Sequence, residues 1–140
     1  MIIFDTLSEL ESYLPPIPAL KYIITVMDRS LPYEKSMGDY ACPEKEEVKY
    51  HVDTFLTSKE GFAFTVQEGS LALLVCLDGD EILSTNNREE VMVMSEGRFA
   101  ILSEGIYHRG ISTNLPTTIK DVLFTFPRDF KDDKGNSDTL

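Results

Sequence analysis

The sequence predicts a mostly β protein, a double-stranded β-helix jelly roll preceded by two short N-terminal helices. Three observations carry this reading. From about residue 36 the hydrophobicity alternates with period two, as in Val48-Lys49-Tyr50-His51-Val52-Asp53-Thr54, the pattern of a half-buried strand. Segments of this kind recur about seven or eight times with Gly, Asn and Pro between them, the punctuation of a sandwich or barrel. The run Gly97-Arg98-Phe99-Ala100-Ile101-Leu102-Ser103-Glu104-Gly105-Ile106-Tyr107-His108 reads as a Gly-started strand, a turn and a histidine delivered to a barrel mouth.

The helices come first. Thr6-Leu7-Ser8-Glu9 fits a capping box, with a hydroxyl at the cap and a carboxylate three residues on. Leu7, Leu10 and Leu14 follow at helical spacing, and Pro15-Pro16 stops the segment. A second helix starts near Pro18, where Leu20, Ile23, Ile24 and Met27 form one apolar stripe, and Leu31-Pro32 ends it. The strands follow at 48–54, 62–67, 71–77, 81–84, 91–94, 97–102 and 119–126. The segment 71–77 is almost wholly apolar, so both its faces are covered. Asp78-Gly79-Asp80 is a hairpin turn, because Gly accepts positive φ and Asp bonds its own backbone. Residues 1–127 make one domain. The tail 128–140, rich in Lys, Asp, Gly, Asn and Ser, is expected to be flexible.

The 140 residues carry 24 acidic and 13 basic side chains, a net charge of −11. That balance excludes nucleic acid as the main partner, since phosphate binding needs clustered Lys and Arg, and for the same reason an anionic membrane surface. No apolar run reaches the length of a membrane helix and no leader is visible, so the expected location is cytoplasmic. Cys42 and Cys76 have 33 residues between them and no CxxC partner, and Cys76 is expected to be a buried thiol.

The order and spacing of several segments resemble the YhcH/YjgK/YiaL family, which includes the β-subunit of the evolved β-galactosidase. The segments are Met1-Ile2-Ile3-Phe4-Asp5-Thr6-Leu7, Met37-Gly38-Asp39-Tyr40, the strand Val48 to Phe55 with Phe55-Leu56-Thr57 where the family often has Tyr-x-Thr, Leu77-Asp78-Gly79-Asp80-Glu81, Phe99 to His108, and Ile119-Lys120-Asp121-Val122-Leu123-Phe124. The resemblance spans Met1 to about Phe126. It implies a divergent member: a cupin-like jelly roll linked to sugar catabolism, related to anomerases of sialic acid or galactose-like sugars. It also implies a barrel able to hold a divalent metal. The family strand reads Glu-x-His, then Asp and Gln before the Gly turn. Anchored on Gly79, those positions hold Thr65, Gln67, Ala72 and Leu74 here. The later His matches His108 and the Lys of the last strand matches Lys120, while a second Lys falls on Thr125. The metal site is therefore expected to be degenerate, with His108 left as a ligand without partners.

From these residues the expected site follows. His108 is the proton-transfer residue, because histidine as a residue type exchanges protons near neutrality, and Glu81 is the general base. Thr65 and Gln67 share a strand face and orient hydroxyls. Lys120 and Arg109 hold an anionic group. His51, between Lys49 and Asp53, reads as part of a solvated face. The expected function is anomer exchange or isomerisation of a small sugar or sugar acid. The rival is a non-catalytic sugar-binding or accessory subunit, which the apolar Ala72 and Leu74 favour. An open strand edge invites a homodimer.

Overall fold

The computed structural model describes residues 2–132. Ten strands form two antiparallel sheets facing each other, the jelly roll the alternation predicts. They are β1 (Ile2–Thr6), β2 (Gly38–Cys42), β3 (Lys45–Leu56), β4 (Phe62–Val66), β5 (Ser70–Asp78), β6 (Glu81–Thr85), β7 (Val91–Met94), β8 (Arg98–Leu102), β9 (Gly105–Ile111) and β10 (Thr118–Pro127). The larger sheet runs β1-β8-β5-β10-β3-β2 and the smaller β4-β9-β6-β7. The Asp78-Gly79-Asp80 turn is not the hairpin expected: β5 pairs with β8 and β10, β6 with β7 and β9, and the turn carries the chain from the larger sheet into the smaller, with Gly79 at φ +87°. A Cβ on Gly79 would stand 3.1 Å from the Thr118 carbonyl oxygen.

Two apolar clusters fill the molecule, and β5, apolar from Leu71 to Leu77, serves both. Leu73, Val75 and Leu77 point to one side of the large sheet, together with Phe99, Ile101, Val122 and Phe124. Ala72, Leu74 and Cys76 point into the barrel, against Val66, Leu83, Met94, Leu102 and Tyr107. The first cluster is the larger. It lies outside the barrel, between the large sheet and the N-terminal segment, and takes in Leu10, Leu20, Ile23 and Val26.

That segment differs from the expectation in two places. Leu7–Tyr13 is a 3-10 helix, and Thr6, extended, makes no side-chain cap bond; its hydroxyl lies 3.0 Å from that of Ser8. The apolar stripe forms α1 (Leu20–Asp28) as read, but Leu31-Pro32 does not simply end it. Ser30, left-handed at φ 57°, turns the chain so that Leu31 and Pro32 open a one-turn helix, α2 (Leu31–Glu34); proline fits the first turn of a helix, where its missing N–H costs nothing. The start of the expected tail is docked. Phe130 is buried edge-on against Tyr22, and Asp132 accepts from Tyr22 and Lys21. The rest of the tail, 133–140, lies outside the described residues. No helix among the described residues is long and apolar enough to cross a membrane.

Candidate functional site

The apolar residues of β3 decide where its polar ones go. Val48, Tyr50 and Val52 belong to the core under the helices, so strand alternation turns Lys49, His51, Asp53 and Phe55 to the barrel side. On the neighbouring β10, Asp121 lies directly opposite Asp53, and Leu123 opposite His51. Two carboxylates facing each other across a ladder repel. Arg109, reaching over from β9 in the small sheet, resolves the conflict. Its Nη1 donates to both oxygens of Asp121 at 2.8 and 2.9 Å, and its Nη2 donates to Asp53 at 2.7 Å. Its guanidinium also lies 4.6 Å from the Phe55 ring centre, and Phe55 meets Phe62 edge-on at 5.1 Å.

Behind Asp121 lies Glu81, 1% exposed, with Oε1 accepting from the Gly110 N–H at 2.8 Å. Gly110 sits at φ +70° where β9 gains a residue against β6, which turns that N–H toward the carboxyl. Among the described residues no donor faces Oε2 of Glu81. Burial first, and then the charge of Asp121, push the Glu81 carboxyl up to about 9. It is therefore protonated at neutral pH, and an O–H on Oε2 can donate to Asp121. Burial raises Asp121 as well, while the bidentate Arg109 favours its charged form. Burial opposes the charge on Arg109, but Asp121 and Asp53 hold it firmly protonated.

Toward solvent the cluster continues through His51. Its Nδ1 lies 2.8 Å from Asp39 Oδ1, a neighbour across the β2–β3 ladder, and its Nε2 lies 3.9 Å from Asp53 Oδ2. The result is a barrel mouth in which partly exposed His51, Asp53 and Arg109 stand beside two phenylalanines. Among the described residues no group of three or more His, Cys, Asp or Glu is placed to hold a metal ion.

The structure brings together two of the expected site residues, Glu81 and Arg109, and gives each a different task. Glu81 holds a proton at neutral pH, so it is not positioned as a general base. Arg109 spends its charge on two aspartates, so it does not hold an anionic ligand. The other four lie elsewhere. His108 follows the inward Tyr107 and so faces outward, with Nε2 3.1 Å from Asn86 Oδ1. Thr65 and Gln67 are exposed, because Phe64 and Val66 take the inward positions of β4. The barrel space they were expected to line is filled by Val66, Leu74, Leu83 and Met94. Lys120 donates to the backbone carbonyls of Tyr33 and Lys35, each at 2.8 Å, and so anchors α2. His51, expected on a solvated face, and Asp53 are not among the site residues the sequence predicts. The signal was present in the alternation of β3, once its apolar face is assigned to the helices and not to the barrel.

No family model matches the chain, and neither does any curated protein sequence. Solved structures do. A cupin protein from Bacteroides fragilis aligns with a TM-score of 0.53 at 8% identity, covering 71% of this chain and 82% of its own. A cupin-2 domain protein from Shewanella frigidimarina aligns at 0.46 and 10% identity over 78% and 98% of the two chains. A protein described as ethanolamine utilization protein Q from Salmonella typhimurium aligns at 0.46 and 13% identity over 66% and 69%. The likeness to the Bacteroides protein carries a conclusion about architecture: two facing antiparallel sheets of this order make the chain a cupin-fold jelly roll.

Proposed function

We propose that the protein binds a small neutral sugar or polyol at the mouth formed by His51, Asp53, Arg109, Phe55 and Phe62, and does so without a metal. The observation that carries this reading is the set of polar atoms left available there. His51 Nε2, Asp53 Oδ1 and Arg109 Nε take part in no hydrogen bond among the described residues, and all three belong to side chains that are only partly buried. Such a mixture of donor and acceptor suits hydroxyl groups. Phe62, 45% exposed, offers an aromatic face to the C–H side of a sugar ring.

Charge selects against an acidic sugar. One guanidinium is already shared between the carboxylates of Asp53 and Asp121, and Asp39 stands beside His51, so a ligand carboxylate would meet net repulsion. This departs from the sugar-acid expectation, in which Lys120 and Arg109 were free cations. The resemblance of several sequence segments to the YhcH/YjgK/YiaL family is what suggests carbohydrate as the ligand class.

Anomer exchange is a second reading, favoured by the Asp39–His51 hydrogen bond. A carboxylate on Nδ1 fixes the tautomer that leaves Nε2 as proton acceptor, and Nε2 would take the proton of the anomeric hydroxyl. Ring opening also needs a proton delivered to the ring oxygen. The protonated group nearby, Glu81, is turned inward to Asp121. Binding without conversion is therefore the preferred reading.

The test is an NMR titration of the labelled protein with galactose, glucose and a polyol, run beside sialic acid. Expected are shifts confined to residues 51, 53, 55, 62 and 109 with the neutral ligands, abolished by His51→Ala. Absence of shifts across the neutral panel, or shifts with sialic acid alone, overturns the proposal. The same tubes report anomer exchange from the anomeric proton signals.

A further inference from the structure

Three strands of the small sheet set an apolar row on its outer side. Met94 takes the inward position at the end of β7, so alternation turns Val93 outward. Val93 pairs with Ile82 on β6, and Ile82 pairs with Ile111 on β9. Beside this row, where the β5–β6 turn meets the segment 112–118, lies a cleft of about 450 Å³, within the size range of small-molecule sites. Ile82, Val93, Ile111 and Leu115 form its apolar wall, and no residue of the mouth lines it. Leu115 and Val93, 82% and 60% exposed, are the most exposed large apolar side chains among the described residues. A lone exposed leucine is ordinary. Two such side chains at the edge of one concavity leave apolar surface for a ligand to cover.

The polar part of the lining is one-sided. It includes Asp80 but no Lys, Arg or His. Glu96 stands beside the same turn, where it accepts from the Gly79 N–H at 3.3 Å. Ser112, also in the wall, has an Oγ without a hydrogen-bond partner among the described residues, and a serine hydroxyl re-aims about a single torsion. A ligand carboxylate or phosphate would meet Asp80 with no cation in the lining to offset it, in a chain of net charge −11. An ammonium carries only donors, and the carboxylate of Asp80 and the hydroxyl of Ser112 both accept.

We propose that this cleft binds a small organic amine, its hydrocarbon body against Ile82, Val93 and Leu115 and its ammonium at Asp80. The site is independent of the sugar mouth and takes a different kind of molecule, largely apolar with one cationic end. Hydrocarbon contact supplies most of the affinity, since Asp80 is exposed and an exposed ion pair contributes little. Asp80 supplies the selection.

The test is an NMR titration of the methyl-labelled protein with hexylamine, run beside hexanol, hexanoate and ethylamine. Expected are shifts of the Ile82, Val93, Ile111 and Leu115 methyl signals with hexylamine, and hexanol binding about fivefold weaker, the scale of one exposed ion pair. Hexanoate is expected to bind more weakly than hexanol. Ethylamine, which has the charge without the body, is expected to leave those signals in place. Leu115→Ser is expected to weaken hexylamine binding about fivefold or more, through lost apolar contact. Asp80→Asn is expected to bring hexylamine and hexanol to equal affinity. Both positions are exposed, and circular dichroism confirms that each variant is folded. No methyl shifts with hexylamine, or shifts that ethylamine reproduces, overturn the site. Hexylamine binding indifferent to Leu115→Ser overturns its place in the cleft. Hexanol or hexanoate binding as tightly as hexylamine, or an amine preference that survives Asp80→Asn, overturns the choice of an amine.

Discussion

Replacing Glu81 by glutamine should make the protein more stable as pH rises, and the structure gives the size of the effect. In the fold Glu81 titrates near 9, against an ordinary 4.5, because burial and Asp121 both penalise its charge. Between those two values the folded state holds a proton that the unfolded chain has released. Stability must therefore fall with rising pH across that window, by about 1.4 kcal/mol per pH unit. Integrated from 4.5, the loss reaches about 3 kcal/mol at pH 7 and about 6 kcal/mol above pH 9. In Glu81→Gln the amide would keep both contacts of the protonated acid, with its oxygen accepting from Gly110 and its NH2 donating to Asp121, and it has no proton to lose. Urea unfolding of both proteins from pH 5 to 9 isolates the effect, since every other carboxyl titrates in both. The two should be nearly equal at pH 5, and the gap should open steadily in favour of the variant. A difference that is flat in pH, or a variant less stable throughout, would refute a proton stored on Glu81.

Arg109→Ala leaves Asp53 and Asp121 opposed with no cation between them; the expected loss is about 3–5 kcal/mol in urea unfolding, as for other broken buried ion pairs, and Arg109→Lys should recover only part of it. Gly110→Ala places a Cβ onto the Phe55 ring at φ +70°, so a loss of about 2 kcal/mol or more is expected from thermal melts. Burial pushes the Cys42 thiol up to about 12 and raises Cys76 further, with its Sγ 3.1 Å from the Gly79 carbonyl oxygen; neither should react with a thiol reagent at pH 8 until urea unfolds the chain, and fast labelling of the native protein would contradict that burial.

Much of the fold could be read from the sequence because strand periodicity and turn chemistry are local. A turn at Gly79, the doubly covered β5 and the stripe of α1 all depend on residues a few positions apart, whereas the passage of that turn between sheets, in place of a hairpin, depends on distant strands. The site was less legible, because the same alternation is silent about which side of a sheet is the barrel. Val48, Tyr50 and Val52 mark an apolar face correctly, yet that face packs on helices, which hands the barrel to His51 and Asp53. Thr65 and Gln67 teach the reverse lesson. Their own neighbours, Phe64 and Val66, mark them as outward, whereas the family resemblance implies that they face inward. The Glu81–Asp121–Arg109–Asp53 cluster spans two sheets and bonds side chains 56 positions apart, a pairing that no short-range pattern encodes. Ser30 shows the local limit: its left-handed turn lets Leu31-Pro32 begin a helix where the dipeptide reads as a stop.

The placement of the main apolar core outside the barrel separates two demands that a closed barrel usually joins. Phe99, Phe124, Leu20 and Ile23 hold the large sheet to its helical cover without help from the mouth. Side chains such as His51 at the rim can therefore change identity, and with it the ligand accepted, while the scaffold beneath keeps its strength. Drift of this kind is open at His51 and closed at Arg109, whose ion pairs tie the two sheets together.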